Sequence, residues 1–230
     1  MDLVELLPTL HQLRLGTGNA YLWRERDALT LIDTGTPGSG DDIRGAIETL
    51  GRTLGDLRQV IVTHGHYDHW GALSEIAANA TIMVHGADAP VVRGETSQQL
   101  PLLAGMPDWE RTLYENLPPM PPPTPARVDQ ELADGDVLDF GGGAEVIAIP
   151  GHTDGSIAIH LPAHRLLFAG DTVANVNGNT MLGVFNSDPA AAAGSFRRLS
   201  ELDLSMVCVG HGDPVTPDAS SRLREVATRL

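Results

Sequence analysis

The stretch that most constrains this chain is residues 60–71, Val-Ile-Val-Thr-His-Gly-His-Tyr-Asp-His-Trp-Gly. Val60-Ile61-Val62 is a short continuous apolar run, the pattern of a strand buried on both faces. His64, His66, Asp68 and His69 follow at once. That cluster is too polar for a core and too patterned for an ordinary loop. Beyond it, WGALSEIAAN (residues 70–79) reads as a helix and TIMVH (81–85) as another buried strand. The histidines therefore occupy a strand-to-helix loop, where open α/β sheets present their sites.

Imidazoles at 64 and 66, one residue apart in an extended loop, point the same way and can grip one ion. Asp68 and His69 are adjacent, so their side chains diverge and can reach a neighbouring ion. Imidazole with carboxylate suits transition metals, zinc most commonly. Three more ligand-type residues each end an apolar run beside glycine. His152 follows AEVIAI in PGHT, Asp171 follows RLLFA in GDT, and His211 follows MVCV in GHG. Glycine lets the backbone turn sharply enough to aim the next side chain across a sheet edge.

The rest of the chain fits an alternation of strands and helices. Strands are expected at 9–15, 19–24 and 28–32, then a helix over GSGDDIRGAIETLG capped by Ser39 or Asp41 and stopped by Gly51. Strands resume at 136–140, 144–149, 156–161 and 165–169. The helix 188–202, the strand MVCVG and the helix 216–230 complete the pattern. Mixed strands and helices in both halves predict two packed sheets with helices outside. One domain spanning 1–230 is expected. From Gly94 to Pro125 the texture changes to a proline-rich insert with one helical segment, DWERTLYENL, which reads as a linker or a cap over the site.

Composition narrows the chemistry. The formal charge is −15, and all 15 basic residues are arginine. The absence of lysine removes Schiff-base and lysine-nucleophile reactions. An acidic surface repels polyanions, which argues against nucleic acid as a partner. No apolar run is long enough to span a bilayer. An acidic N-terminal segment is unlike a signal peptide, and the single cysteine, Cys208, suits a reducing compartment, so a cytoplasmic location is expected.

LIDTG (31–35), THGHYDHWG, PGHTDGS, AGDT and VGHGDP, in this order, resemble the metallo-beta-lactamase superfamily. The resemblance implies an αββα four-layer sandwich, two mixed β-sheets flanked by helices, with metals at one edge. Carried over by position, His64, His66 and His152 would hold a first divalent ion. Asp68, His69 and His211 would hold a second, with Asp171 bridging both. Zinc is the expected metal, with manganese, cobalt or iron as substitutes. Asp33, in the Asp-Thr-Gly turn, would support the site from behind, and Thr63 similarly. Two ions would generate a bridging hydroxide to attack a carbonyl, with Asp68 orienting it or accepting its proton. The implied reaction is hydrolysis of an ester, lactone or thioester of a small molecule.

The motif set is most similar to the glyoxalase II and lactonase-like hydrolases. The nineteen residues after His211 read as one helix, short of the C-terminal helical region of glyoxalase II. Lactonases use a tyrosine near the metals, and Tyr21, Tyr67 and Tyr114 are the candidates. Persulfide dioxygenases show the same motif pattern around one iron, with His66 or a neighbour, His152 and Asp171 as matching residues. A catalytically silent metal-binding protein is the remaining alternative, disfavoured because all seven ligands are present. Within the insert, Met106, Trp109, Leu113, Tyr114, Leu117 and Met120 could form an apolar wall over the metals. Met181 and Phe185, in the loop after Asp171, could complete it. Their other use would be packing on the sheet or at a homodimer interface. Of the remaining histidines, His85 is a candidate support of the site, while His11, His160 and His164 read as structural.

Overall fold

The computed structural model describes residues 1–16 and 18–230. The first sheet takes its strands in chain order: β1 (Asp2–Leu7), β2 (Leu10–Leu15), β3 (Gly18–Arg24), β4 (Leu29–Ile32), β5 (Leu57–Val62), β6 (Thr81–His85) and β7 (Gln130–Leu132). β1 to β4 pair antiparallel and β4 to β7 parallel. The parallel crossovers carry α1 (Gly40–Thr49), α2 (Tyr67–Trp70), α3 (Leu73–Ile76), α4 (Ala89–Val92) and, within the insert, α5 (Asp108–Glu115).

The second sheet contains β8 (Val137–Leu138), β9 (Ala144–Ala148), β10 (Ile157–Leu161) and β11 (Leu166–Phe168). A separate hairpin, β12 (Val173–Val176) and β13 (Asn179–Leu182), follows. After α6 (Pro189–Ser200), β14 (Met206–Cys208) joins the second sheet beside β11, and α7 (Ala219–Ala227) comes last.

Alternation along the strands explains the layers. On β5, Val60 and Val62 pack toward Ile43, Ile47 and Leu73 of the helices, while Ile61 faces the second sheet. On β10, Ile157, Ile159 and Leu161 face the first sheet, while Ala158 turns to Phe196 and Leu199 of α6. Strands covered on both faces must be apolar throughout, hence the unbroken VIV and IAI runs. The result is the four-layer arrangement expected from the sequence, with helices on both outer faces of two mixed sheets.

Four local expectations need correction. Residues 70–79 are not one helix: α2 and α3 are separate short turns. The helix does not continue because the next two amides are taken by the 34–35 segment, Gly71 N–H by Gly35 O at 2.8 Å and Ala72 N–H by Thr34 Oγ1 at 3.2 Å, instead of by carbonyls one turn back. Residues 175–182, read as loop, form the β12–β13 hairpin. Its turn, Asn177-Gly178, has positive φ at both residues, a pairing suited to tight hairpins. β1 was not expected, because no strand-like alternation marks its half-buried residues. β7 is too short and too polar to announce itself.

Candidate metal centre

β4, β5 and β6 run parallel, and so do β11 and β14, with β9 antiparallel to the β10 that separates it from β11. β9, β11 and β14 thus share one direction, and each is followed by a loop carrying a candidate ligand. Asp33 and His64 to His69 leave β4 and β5 at the same end of the molecule. Two backbone hydrogen bonds join the sheets there, Ile157 N–H to Thr63 O at 2.9 Å and Asn19 N–H to Gly210 O at 2.9 Å.

Seven side chains converge at this edge in overlapping groups. Each group, His64 with His66 and His152, His64 with His69 and Asp171, and Asp68 with His69 and His211, has ligand atoms within 4.8 Å of one another and could hold a metal ion. His66 Nδ1 and His152 Nε2 are 2.9 Å apart. Asp171 stands between the groups: Oδ2 lies 3.5 Å from His152 Nε2 and 3.1 Å from His211 Nε2, and Oδ1 lies 3.4 Å from His69 Nε2. Asp68 Oδ2 is 3.3 Å from His211 Nε2. Only glycine fits at 210, since a Cβ there would meet Asp171 Oδ1 at 1.9 Å.

The supporting hydrogen bonds fix which nitrogen His64, His66 and His69 offer. Asp33 accepts from Thr63 N–H at 2.8 Å and from the Thr63 hydroxyl at 2.8 Å. With its proton so committed, Thr63 Oγ1 is an acceptor for His64 Nδ1–H at 3.1 Å, leaving Nε2 to face inward. Asp33 also takes His69 Nδ1–H at 2.9 Å, so His69 likewise presents Nε2. The Gln99 carbonyl accepts from His66 Nε2–H at 3.0 Å, which leaves Nδ1 for the centre. His64 Nε2 is buried with no hydrogen-bond partner among the described residues, and His69 Nε2 and Asp171 Oδ1, also buried, meet only in a loose ion pair at 3.4 Å. Leaving such atoms unpaired is costly, and divalent cations are the species this imidazole and carboxylate set fits.

The electrostatics separate the two outer groups. Burial, then His69 and His152, lower His64 well below the usual histidine range. Burial lowers His66, and burial with His66 lowers His152 to about 3. Asp171 raises His211 to about 10, against burial. Burial opposes charge on His69 too, but Asp171, Asp68 and Asp33 together raise it well above its usual value. Asp68 and Asp171 are in turn held ionised, despite burial, chiefly by His69 and His211. Ligation requires neutral imidazole. Near neutral pH, metal uptake by His64, His66 and His152 should release no imidazole proton. Uptake at Asp68, His69 and His211 should release about two. Because a raised pKa means protonation below it, proton competition at this group relaxes as pH rises toward the value of about 10 at His211. Indicator-monitored metal titration in weak buffer measures both effects.

The sequence reading missed Asp88. Only 3% exposed, it accepts from Gly65 N–H at 2.6 Å, Thr153 Oγ1–H at 2.6 Å and Gly155 N–H at 3.1 Å, tying the His64–His66 loop to the His152 loop. Its signal was a carboxylate three residues past the buried strand TIMVH. His85 only caps its own turn, accepting from Ala87 N–H at 3.2 Å. Tyr21 is buried, with its hydroxyl donating to Val209 O at 2.8 Å and accepting from Val209 N–H at 3.1 Å, so it braces the approach to His211.

The expected apolar wall divides. Met106, Trp109 and Met181 line a cavity of about 550 Å³ between the insert, β13 and α7. Tyr114 and Phe185 do not line it; they pack on each other with ring centroids 5.4 Å apart. Met120 also lies outside its lining, in the stretch beyond α5. The insert is fastened to the loop after Asp171 by Leu102 N–H to Asn186 O at 2.9 Å and Phe185 N–H to Glu110 Oε1 at 2.6 Å. Every residue of α5 is at least partly exposed, and Trp109 and Leu113, with Leu117 just beyond the helix, are largely so.

The model of the metallo-beta-lactamase superfamily matches residues 13–211, and the chain belongs to that superfamily. A probable metallo-hydrolase of Bacillus subtilis, YflN, is 31% identical over 244 residues, covering 96% of this chain and 90% of its own length. A hydroxyacylglutathione hydrolase of Cereibacter sphaeroides is 32% identical over 157 residues, 67% of this chain but only 48% of the relative. Among solved structures, the metallo-beta-lactamase family protein TTHA1429 from Thermus thermophilus matches with a TM-score of 0.72 and 25% identity, covering 98% of this chain and 80% of that one. No helix among the described residues is long and apolar enough to cross a membrane.

Proposed function

We propose that the chain is a hydrolase dependent on two divalent metal ions, zinc by preference, that cleaves an ester, thioester or lactone of a small molecule. The observation that carries this reading is the placement of Asp171 between two histidine groups, with buried imidazole nitrogens turned inward on both sides. His64, His66 and His152 would hold one ion, Asp68, His69 and His211 the other, and Asp171 both. When bound, such a pair supplies Lewis acidity and an acidified water, the chemistry needed to open a carbonyl ester at neutral pH. The relatives named as metallo-hydrolase and as hydroxyacylglutathione hydrolase support the class, and the latter favours a thioester.

The protein's own part is orientation and proton handling. Asp33, Thr63 and the Gln99 carbonyl hold the imidazole tautomers. The Asp68 side chain is 23% exposed, against 13% for Asp171, so it is the carboxylate better placed to meet substrate and take a proton. Its charge is maintained by His69 and His211.

The cavity lined by Met106, Trp109 and Met181 holds none of the seven cluster residues and reaches toward them only through the 183–186 loop after Asp171, so it would suit the far end of an acyl chain. Trp109→Ala should lower kcat/KM for a long-acyl thioester roughly tenfold while changing an acetyl thioester less than about twofold. Equal loss on both would remove the cavity from the substrate path. The reaction itself is tested with a panel of acyl thioesters, esters and lactones, before and after chelation. Turnover lost on chelation and regained with zinc supports the proposal; no turnover on any of the three bonds refutes it.

A further inference from the structure

Two glutamines at the entry to the insert make contacts that the metal centre does not require for its own coordination. Gln98 Oε1 accepts from Tyr67 N–H at 2.9 Å, at the start of α2 between His66 and Asp68. Gln99 Oε1 accepts from Asp154 N–H at 2.8 Å, two residues beyond His152. Between these anchors, the Gln99 carbonyl accepts from His66 Nε2–H at 3.0 Å. The segment has no helix or strand of its own, and both side chains are half-buried. Among the described residues, the carbonyl is therefore held by these two side-chain anchors and, three residues on, by Leu102 N–H to Asn186 O.

We infer that Gln98 and Gln99 are positioning residues that clasp the insert across the three-histidine group and set its affinity for metal. The carbonyl selects the His66 tautomer that turns Nδ1 toward His152, and the two side chains hold that carbonyl in register with both ligand loops. Further along the same segment, Leu102 and Glu110 fasten the insert to residues 185 and 186, behind Asp171. One strap thus touches the loops carrying His66, His152 and Asp171. Seating of the insert and occupancy of the three-histidine group are then linked: metal should close the strap, and a loosened strap should weaken metal. This rests on the cluster holding metal, and not on which bond the enzyme cleaves.

Both glutamines serve as acceptors here, so chemistry and bulk separate cleanly. Gln99→Met keeps the length and loses the acceptor; Gln99→Glu keeps the acceptor. Zinc affinity of the full-length chain, measured by competition with a chromophoric chelator, should weaken about tenfold for the first equivalent in Gln99→Met, the scale on which outer hydrogen-bond partners act. Gln99→Glu should stay at the wild-type value or bind more tightly, and Gln98→Met should weaken in the same direction. Limited proteolysis gives an independent readout: zinc should protect the exposed bonds at 102–105 in the wild type and in Gln99→Glu, but not in Gln99→Met. Wild-type affinity in Gln99→Met, or equal weakening in Gln99→Met and Gln99→Glu, overturns the clasp. A wild-type chain that takes up no zinc overturns the metal site as well.

Discussion

Asp171→Asn should reduce the metal content from about two ions per chain to at most one, and should lower hydrolysis by more than about a hundredfold. Replacing partners one step removed from a metal already costs about 10- to 100-fold, so a carboxylate within 3.5 Å of His69, His152 and His211 should cost more. The same substitution removes the first cause of the raised His211 pKa, so in metal-free protein His211 should titrate below about 10. Elemental analysis and histidine NMR titration measure the two effects separately. Unchanged metal content would show that Asp171 does not join the groups.

Asp88→Asn should act through stability. The carboxylate is buried and accepts three hydrogen bonds, two from backbone amides that have few other routes to a partner. An amide in its place offers one oxygen and turns an NH₂ toward donors. Leaving buried N–H groups unpaired costs about 1–3 kcal/mol each, so a loss of about 2–5 kcal/mol is expected. For a chain of this size that is a fall in Tm of about 5–15 °C, read by calorimetry on the metal-free protein. Because Asp88 ties the His64–His66 loop to the His152 loop, zinc affinity should also fall by at least about tenfold. A variant that melts like wild type would place the stabilising link elsewhere.

Much of this was legible in the sequence, for a physical reason. Strands covered on both faces must be apolar throughout, so VIV, VIAI, LLFA and MVCV declare themselves, and a histidine or aspartate within three residues after each run lies at a sheet edge. What stayed hidden depends on contacts between distant segments. Asp88 is ordinary in sequence and matters because Gly65, Thr153 and Gly155 fold onto it. Gln98 and Gln99 look like polar residues of a loop until Tyr67 and Asp154 reach them. The split of residues 70–79 follows from Gly35 O and Thr34 Oγ1 taking the Gly71 and Ala72 amides, contacts with no local signature. The β12–β13 hairpin is the exception, since Asn177-Gly178 was a readable turn signal.

The division of the insert's apolar residues has the same origin. Met106 and Trp109 were grouped with Tyr114 by composition, but Trp109 and Tyr114 lie on different faces of α5, one lining the cavity and the other packed on Phe185. Sequence fixes which residues are apolar; only the seating of α5 decides which of them meet a cavity.

The most direct test of the proposed two-ion centre is metal content per chain in protein purified without a metal-binding tag, with hydrolysis followed through chelation and reloading. About two equivalents of zinc, manganese or cobalt, with ester or thioester cleavage lost on chelation and restored on reloading, is the expected result. About one equivalent of iron, with oxygen consumed on a persulfide and no hydrolysis, would contradict it.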